Sequence, residues 1–351
     1  MQIGLKTAKA FAPESRIRHV DRLVSDRLLA MKTPSRDLTV SQPLSSLETE
    51  AVRDYLHAAT SDNTRRTYQS AVRQFVRWGG RLPADRDMVL RYLLDRQPEL
   101  NMRTLDLHIT ALRQWHEYQQ LADPTRDPLI QKTLEGMRRR HGQPRQKARP
   151  LSIEALSALI DWLNQQPVSL MRERNRALLL VASFGAFRRS ELVGLQCSNL
   201  EWFDDGVVVT LERSKTDQSG EGMQRALPRS DNHLCPVSAL KRWMDSVALQ
   251  EGAIFRRINR WDQPGTRAMD ASSINLILKK LAMQAGLEGA EKFSSHSFRR
   301  GLTTSAAQAG VDFELIRKQG GWKQDATVRE YIEEGRALDR NAAKELLRRV
   351  T

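Results

Sequence analysis

The sequence predicts a mainly α chain in two parts: an N-terminal helical bundle and an α+β domain with one small antiparallel sheet. Three observations carry this expectation. Apolar residues recur at 3–4 spacing from Leu47 to about Met137, interrupted by Ser, Asp and Pro signals of helix starts. The β-branched run Val207-Val208-Val209-Thr210-Leu211 is followed, after a polar Gly-bearing stretch, by Ala226-Leu227, as in a hairpin. Between the halves, residues 138–150 hold Gly142, Pro144 and Pro150 among clustered basic residues, which predicts a linker.

In chain order, residues 1–46 form an N-terminal extension expected to be partly disordered, with one amphipathic piece from Ile17 to Met31 and Pro13, Pro34 and Pro43 around it. A first helix carries the stripe Val52, Tyr55, Leu56 and Ala59. Ser61-Asp62-Asn63 offers an N-cap for a second, with Tyr68, Val72, Phe75 and Val76 on its apolar face. Pro83-Ala84-Asp85 opens a third, with Val89, Tyr92 and Leu93. Met102 to Leu121 gives a fourth, and Asp127-Pro128 a short fifth. The bundle so read spans 47–137, and the second domain spans 151–351. There, Ser152 caps a helix, Arg174 to Phe184 forms an apolar one, and the hairpin follows. Helical periods then return from Val237 to Leu249, Ser272 to Ala285, Ser297 to Ala309, Phe313 to Gln319, Ala326 to Glu333 and Asn341 to Arg349. Gly335 is expected to end the penultimate helix.

A chain of 351 residues is long enough for two cores. Its net charge of +14 favours a polyanionic partner, because each phosphate contact releases condensed counterions. From Arg126 to Arg149 there are eight Lys or Arg against two Asp or Glu, so Arg138, Arg139, Arg140, Arg145, Lys147 and Arg149 are candidate DNA contacts. Two cysteines, Cys197 and Cys235, cannot make a disulfide framework and lack metal-ligand spacing, so they read as small apolar core residues. No apolar run approaches the ~20 residues of a membrane span, and no signal-peptide core opens the chain. The expectation is a cytoplasmic, nucleoid-associated protein without membrane contact.

The chemistry-bearing residues cluster late. Gly185-Ala186-Phe187-Arg188-Arg189-Ser190-Glu191-Leu192 comes first, then Ser214-Lys215-Thr216 in the hairpin turn. Ser295-His296-Ser297-Phe298-Arg299-Arg300-Gly301 follows, and Gly320-Gly321-Trp322 stands nine residues before Tyr331. Cutting a phosphodiester without a metal needs a clamp for charge on the non-bridging oxygens, an in-line nucleophile and a proton for the leaving oxygen. Arginine suits the clamp, since its planar fork donates bidentately and stays charged. The spacing leaves Arg188 or Arg189, and Arg299 or Arg300, open for that task. Glu191, three residues past Arg188, lies on the same helical face and can hold its guanidinium. Trp322 is a donor only. Tyr331, a poor attacker on its own, needs a cationic site around it. His57, His108, His116, His141 and His233 read as structural, and Tyr55, Tyr68, Tyr92 and Tyr118 as residues at core edges.

This ordered set resembles the tyrosine recombinase (phage integrase) family, over about 300 residues from Leu47 onward. Its pattern of an arginine three residues before an acidic one, then H-x-x-R, selects Arg188 and Arg299 as catalytic. The resemblance adds Lys215 as general acid, His296, Trp322 and the nucleophile Tyr331, with Glu191 in support. Trp322, where many members carry a second histidine, resembles the Cre-like branch. The implied fold is a core-binding (SAM-like) bundle and a catalytic domain of tyrosine recombinase type, closing on DNA as a C-shaped clamp. Asn63 and Thr64 resemble DNA-gripping positions of that bundle. The implied activity is site-specific recombination through a 3′-phosphotyrosine and a Holliday junction. It proceeds in a homo-tetramer on two palindromic double-stranded sites, with no cofactor, metal or ATP, and the C-terminal helix is exchanged between protomers. Alternatives the residues leave open are an integrase of a mobile element that needs accessory factors, a type IB topoisomerase-like enzyme, and a non-catalytic DNA-binding regulator.

Overall fold

A computed structural model describes residues 55, 59–144, 146–211, 222–336 and 342–348. Of the helix expected around Val52 to Ala59 only Tyr55 and Ala59 are described, and the N-terminal extension, Arg145 and Lys215 lie outside these residues. The chain divides between Arg145 and Gln146 into two compact units, inside the stretch expected as linker.

The first unit is helical. Its elements are α1 (Asp62–Trp78), α2 (Arg86–Arg96), α3 (Met102–Tyr118), a 3-10 turn (Pro124–Arg126) and α4 (Pro128–His141). Each α-helix begins where a short polar side chain can accept from an exposed backbone N–H: Ser61, Asp85, Asn101 and Asp127. The apolar faces meet around Phe75, Tyr92, Leu105, Leu112 and Ile130, all buried. Polar groups inside this core are satisfied locally. His116 donates from Nδ1 to the Leu112 carbonyl and accepts the Ala84 N–H at Nε2, which fixes the neutral tautomer. Tyr92 hydroxyl and His108 Nδ1 lie 2.6 Å apart, and burial pushes the phenol up to about 12 and the imidazole down. Tyr55 and Tyr118, expected at core edges, are exposed instead. The helix α4 is not short. It runs to His141 and takes in Arg138, Arg139 and Arg140, so the basic stretch starts as helix rather than linker.

The second unit is built on α6 (Leu170–Phe184), whose residues from Glu173 to Ser183 are all buried: an apolar run from Ala177 to Ala182 behind four buried polar residues, Glu173 to Arg176. Before it comes α5 (Ile153–Gln165), capped by Ser152 as expected, and after it the short α7 (Arg189–Gly194). Strands β1 (Leu200–Phe203), β2 (Gly206–Leu211) and β3 (Met223–Pro228) form one antiparallel sheet in that order, with Val209 opposite Arg225. There follow α8 (Pro236–Ser246), a small hairpin of β4 (Arg256–Ile258) and β5 (Pro264–Ala268), then α9 (Ser273–Gln284), α10 (Ser295–Gln308), α11 (Phe313–Gly320), α12 (Asp325–Arg336) and α13 (Ala342–Arg348).

Strand β1 and the β4–β5 hairpin had no sequence expectation. The hairpin is short and polar, and a tertiary contact gives it a role: Asp262 at its tip accepts the Leu170 and Met171 N–H groups that open α6. Helix α12 continues through Gly335 to Arg336, because one glycine inside a helix costs only about 1 kcal/mol. Cys197 and Cys235 are unpaired, and Cys235 Sγ accepts the Ser238 N–H at the start of α8. No helix among the described residues is long and apolar enough to cross a membrane.

Phe75 is fully buried and meets Tyr92 edge-on at 5.0 Å. Phe75→Ala should destabilise the first unit by about 3–5 kcal/mol, whereas the exposed Tyr118→Ala should change it by less than about 0.5 kcal/mol. Denaturant unfolding of both variants checks this.

Candidate active site

The site forms where the turn after α6, strand β3, the start of α10 and the turn after α11 converge. Arg188 is extended (φ −69°, ψ 151°) and caps α7 from outside the helix. Its contact with Glu191 is therefore a cap rather than a shared helical face. The Arg188 N–H donates to Glu191 Oε2 at 2.9 Å, and its guanidinium donates to Oε1 at 2.5 Å. The carboxylate orients both ends of the residue.

A second arginine reaches the same carboxylate. Arg225 on β3, 1% exposed, lies 3.5 Å from Glu191 Oε2. It also donates to the carbonyls of Gly185 and Gly320 and stacks 5.0 Å over the Phe187 ring. Thus one side chain ties the first arginine motif to the Gly-Gly-Trp turn. Gln319 reinforces the tie, donating to Phe184 and Ala226 carbonyls at 2.7 and 3.0 Å. Sequence reasoning missed both residues. A signal for Arg225 existed: it alternates with Leu227, so strand period places it on the buried face.

Arg299 enters from α10. It is 5% exposed, donates to the Ala186 carbonyl at 2.5 Å and stacks 4.5 Å over the Trp322 ring. Ala186 is left-handed (φ 46°), a strained state for a residue with a Cβ, and both flanking carbonyls of that turn are held by arginines from distant elements. Burial pushes Arg299 down to about 9, with Arg225 and Arg188 adding to the fall and Glu191 and Tyr331 opposing it. It remains a cation at neutral pH. Arg225 falls to about 10, chiefly through burial. Burial alone would raise Glu191, yet Arg225, the Arg188 N–H and the Arg188 charge hold it below the usual carboxylate value. Two guanidiniums therefore pair with one carboxylate and a third, Arg299, lies within its electrostatic reach, which leaves an excess of positive charge fixed at the site, suited to an anion.

Trp322 is nearly buried (9% exposed) and meets Tyr331 edge-on at 6.4 Å. The turn before it needs both glycines. Gly321 is left-handed (φ 61°) and closes α11, while a Cβ on Gly320 would overlap the indole ring. Tyr331, on α12, is half-buried, and the Arg300 guanidinium lies 5.3 Å over its ring. His296 is exposed in the first turn of α10, although it is only three residues from the buried Arg299. Five of the six expected catalytic residues thus lie on α10, α12 and the turns beside α6 and α11, and the sixth, Lys215, is outside the described residues.

The expected DNA contacts are scattered in their commitments. Asn63 and Thr64 lie in the first turn of α1, Asn63 exposed and Thr64 half-buried. Arg138 makes a bidentate pair with Asp106, Nη2 to Oδ1 at 2.7 Å and Nε to Oδ2 at 3.3 Å, and Arg139 pairs with Glu135 at 2.5 Å. Arg140 is exposed. In the second unit Lys147 pairs with Glu330, while Arg149 donates to the Glu288 carbonyl and lies 6.0 Å over Phe293. Surface pairs of this kind are weak enough for phosphate to displace. Among the described residues, no three His, Cys, Asp or Glu come together as a metal site.

Comparison with known proteins bears on the family and the fold. The Phage integrase family pattern matches residues 149–336. An integrase/recombinase xerD homolog of Selenomonas ruminantium is 32% identical over 296 residues, covering 82% of this chain and 86% of that protein. Tyrosine recombinase XerA of Thermococcus kodakarensis is 24% identical, covering 77% of this chain and 84% of its own. Among solved structures, a lambda integrase dimer bound to a COC′ core site aligns with TM-score 0.55 at 14% identity, covering 81% of this chain and 75% of that one. XerH bound to a palindromic difH substrate aligns with TM-score 0.53 at 19% identity, covering 73% of each chain. None of these four is a Cre recombinase, so the Cre likeness rests on Gly320-Gly321-Trp322.

Arg225→Met should strand the Gly185 and Gly320 carbonyls and take one of two paired cations from Glu191, a loss of about 3–5 kcal/mol, and the double variant with Glu191→Gln should cost less than the two singles together. Urea unfolding of the four proteins checks this. Because Glu191 titrates below its ordinary 4.5 in the folded state, its contribution is complete at neutral pH and is lost as pH falls through the folded value. The stability gap between wild type and Glu191→Gln should therefore be flat near pH 7 and close only under acid.

Proposed function

Since the chain belongs to the phage integrase family, we propose that it is a site-specific DNA recombinase that cuts and rejoins DNA through a 3′-phosphotyrosine at Tyr331. The observation that carries this reading is a chain of contacts: Glu191 holds Arg188, its charge also acts on Arg299, Arg299 stacks on Trp322, and Trp322 meets Tyr331 edge-on. Arg188 and Arg299 clamp the scissile phosphate, and the charge they present is already oriented, so little reorganisation is needed as negative charge grows. Trp322 packs under Arg299 and offers its indole N–H. The Tyr331 oxygen bonds to phosphorus as the bond to the 5′ oxygen breaks. The phenolic proton passes to His296, an imidazole being basic enough to accept it near neutral pH. Lys215 protonates the 5′ oxygen. Energy is kept in the phosphotyrosine, so the reverse step with a second 5′ hydroxyl needs neither ATP nor metal.

Residues 47–137 serve as the DNA-gripping core-binding domain, with Asn63 and Thr64 at the α1 N-terminus directed to phosphate. Residues 138–150, helical up to His141, supply the basic connection, and 151–351 form the catalytic domain. Recombination proceeds in a homo-tetramer on two palindromic sites through a Holliday junction. The short α13 supports this assembly: Leu346 and Leu347 are 63% and 70% exposed, so its apolar side stays on the surface of a single chain. An isolated helix of this length is marginal in water and gains stability by docking, here on a neighbouring protomer.

Tyr331→Phe should bind DNA normally and form no covalent adduct on a nicked site, while wild type should form it in excess chelator. An adduct from Tyr331→Phe, or strict dependence on Mg²⁺, would overturn the reading. Deleting residues from Arg336 onward should leave half-site binding nearly intact and weaken cooperative filling of a full site. Gel-shift titration measures both.

A further inference from the structure

We propose that Arg300, adjacent to the phosphate-clamping Arg299, is a positioning residue for the nucleophile. Its guanidinium holds the Tyr331 ring and stabilises the charge that builds on it. The inference rests on the reading of Tyr331 as the attacking residue. Successive residues of a helix point about 100° apart, so Arg299 and Arg300 cannot serve one ligand in the same way. In α10 they diverge onto the two rings of the next motif: Arg299 stacks 4.5 Å from the Trp322 centroid, and Arg300 5.3 Å from that of Tyr331. The rings themselves meet edge-on at 6.4 Å. The result is two cations against two joined aromatics, and the arginine left without a task in the sequence pattern acquires one.

Burial makes the contact consequential. Arg300 is 8% exposed, so the guanidinium is largely stripped of water and pulls on the π face more strongly than a surface arginine does. The attraction favours one ring orientation, which keeps the phenolic oxygen aimed along a fixed line. It also grows during the reaction. As the phenol gives up its proton and bonds to phosphorus, negative charge passes into the ring, and a cation over that ring gains more in the transition state than in the ground state. Arg300 touches neither the phosphate nor the leaving oxygen in this scheme. It acts through Tyr331.

The test is single-turnover adduct formation by the full chain on a nicked recombination-site oligonucleotide at saturating protein, with half-site affinity and melting temperature measured beside it. Arg300→Met should slow adduct formation roughly 3- to 30-fold, the range expected of a buried cation–π contact, with half-site affinity unchanged. Arg300→Lys, which restores a cation, should recover most of the rate. Wild-type rate in Arg300→Met would overturn the inference. So would equal loss in Arg300→Lys and Arg300→Met, or a fall in melting temperature that accounts for the lost rate, since either assigns Arg300 to stability alone. Tyr331→Phe in the same assay separates the two claims: an adduct there refutes the parent reading, whereas its absence alongside a normal Arg300→Met refutes only this one.

Discussion

The Glu191 carboxylate lies among three guanidiniums, and the catalytic half of the molecule is arranged to keep it there. Removing a carboxylate from water is costly unless strong partners compensate. Here Arg188 and Arg225 do so directly, and Arg299 contributes through space. Glu191 in turn lets arginines approach one another inside the protein. Without it their mutual repulsion would drive the cluster apart, and with it the cluster keeps a surplus of positive charge. That surplus suits an anion such as a phosphate.

The backbone around this cluster is shaped by the same side chains. The left-handed Ala186 turn persists because Arg225 and Arg299 hold the carbonyls of Gly185 and Ala186. The Gly320-Gly321 turn is held by Arg225 and Gln319, so Trp322 is presented against Arg299 at a fixed height. Motifs more than a hundred residues apart in sequence are therefore coupled by a few hydrogen bonds to main-chain oxygens. A change at β3, about 40 residues from the first arginine motif and about 95 from the Gly-Gly-Trp turn, can misplace both ends of the site.

Much of the fold was legible because its signals are local. Ser61, Asp85, Asp127 and Ser152 cap helices where the sequence places them, and the Val207–Leu211 run is a strand. The arginine, Gly-Gly-Trp and tyrosine motifs that meet in the candidate site stood out through spacing and family pattern. What stayed hidden depends on tertiary partners. The three arginines of α4 looked like linker because Gly142 and Pro144 follow them, yet their turn is completed by the helix before it, and Arg138 is pinned by Asp106 on α3. The H-x-x-R spacing says nothing of burial, and His296 is exposed while Arg299, three residues on, is buried. The role of Arg225 exists only once β3 lies against the α6–α7 turn, and the β4–β5 hairpin is fixed by the cap it gives to α6.

The central claim is that the fixed positive cluster serves attack by one phenol on a phosphodiester. The most direct measurement is mass-spectrometric mapping of the covalent product trapped on a nicked site, after digestion of both protein and DNA. A single modified residue is expected, Tyr331, joined through its oxygen to the 3′ phosphate of a nucleotide. A linkage to a 5′ phosphate, or a nucleotide on any other side chain, would contradict it.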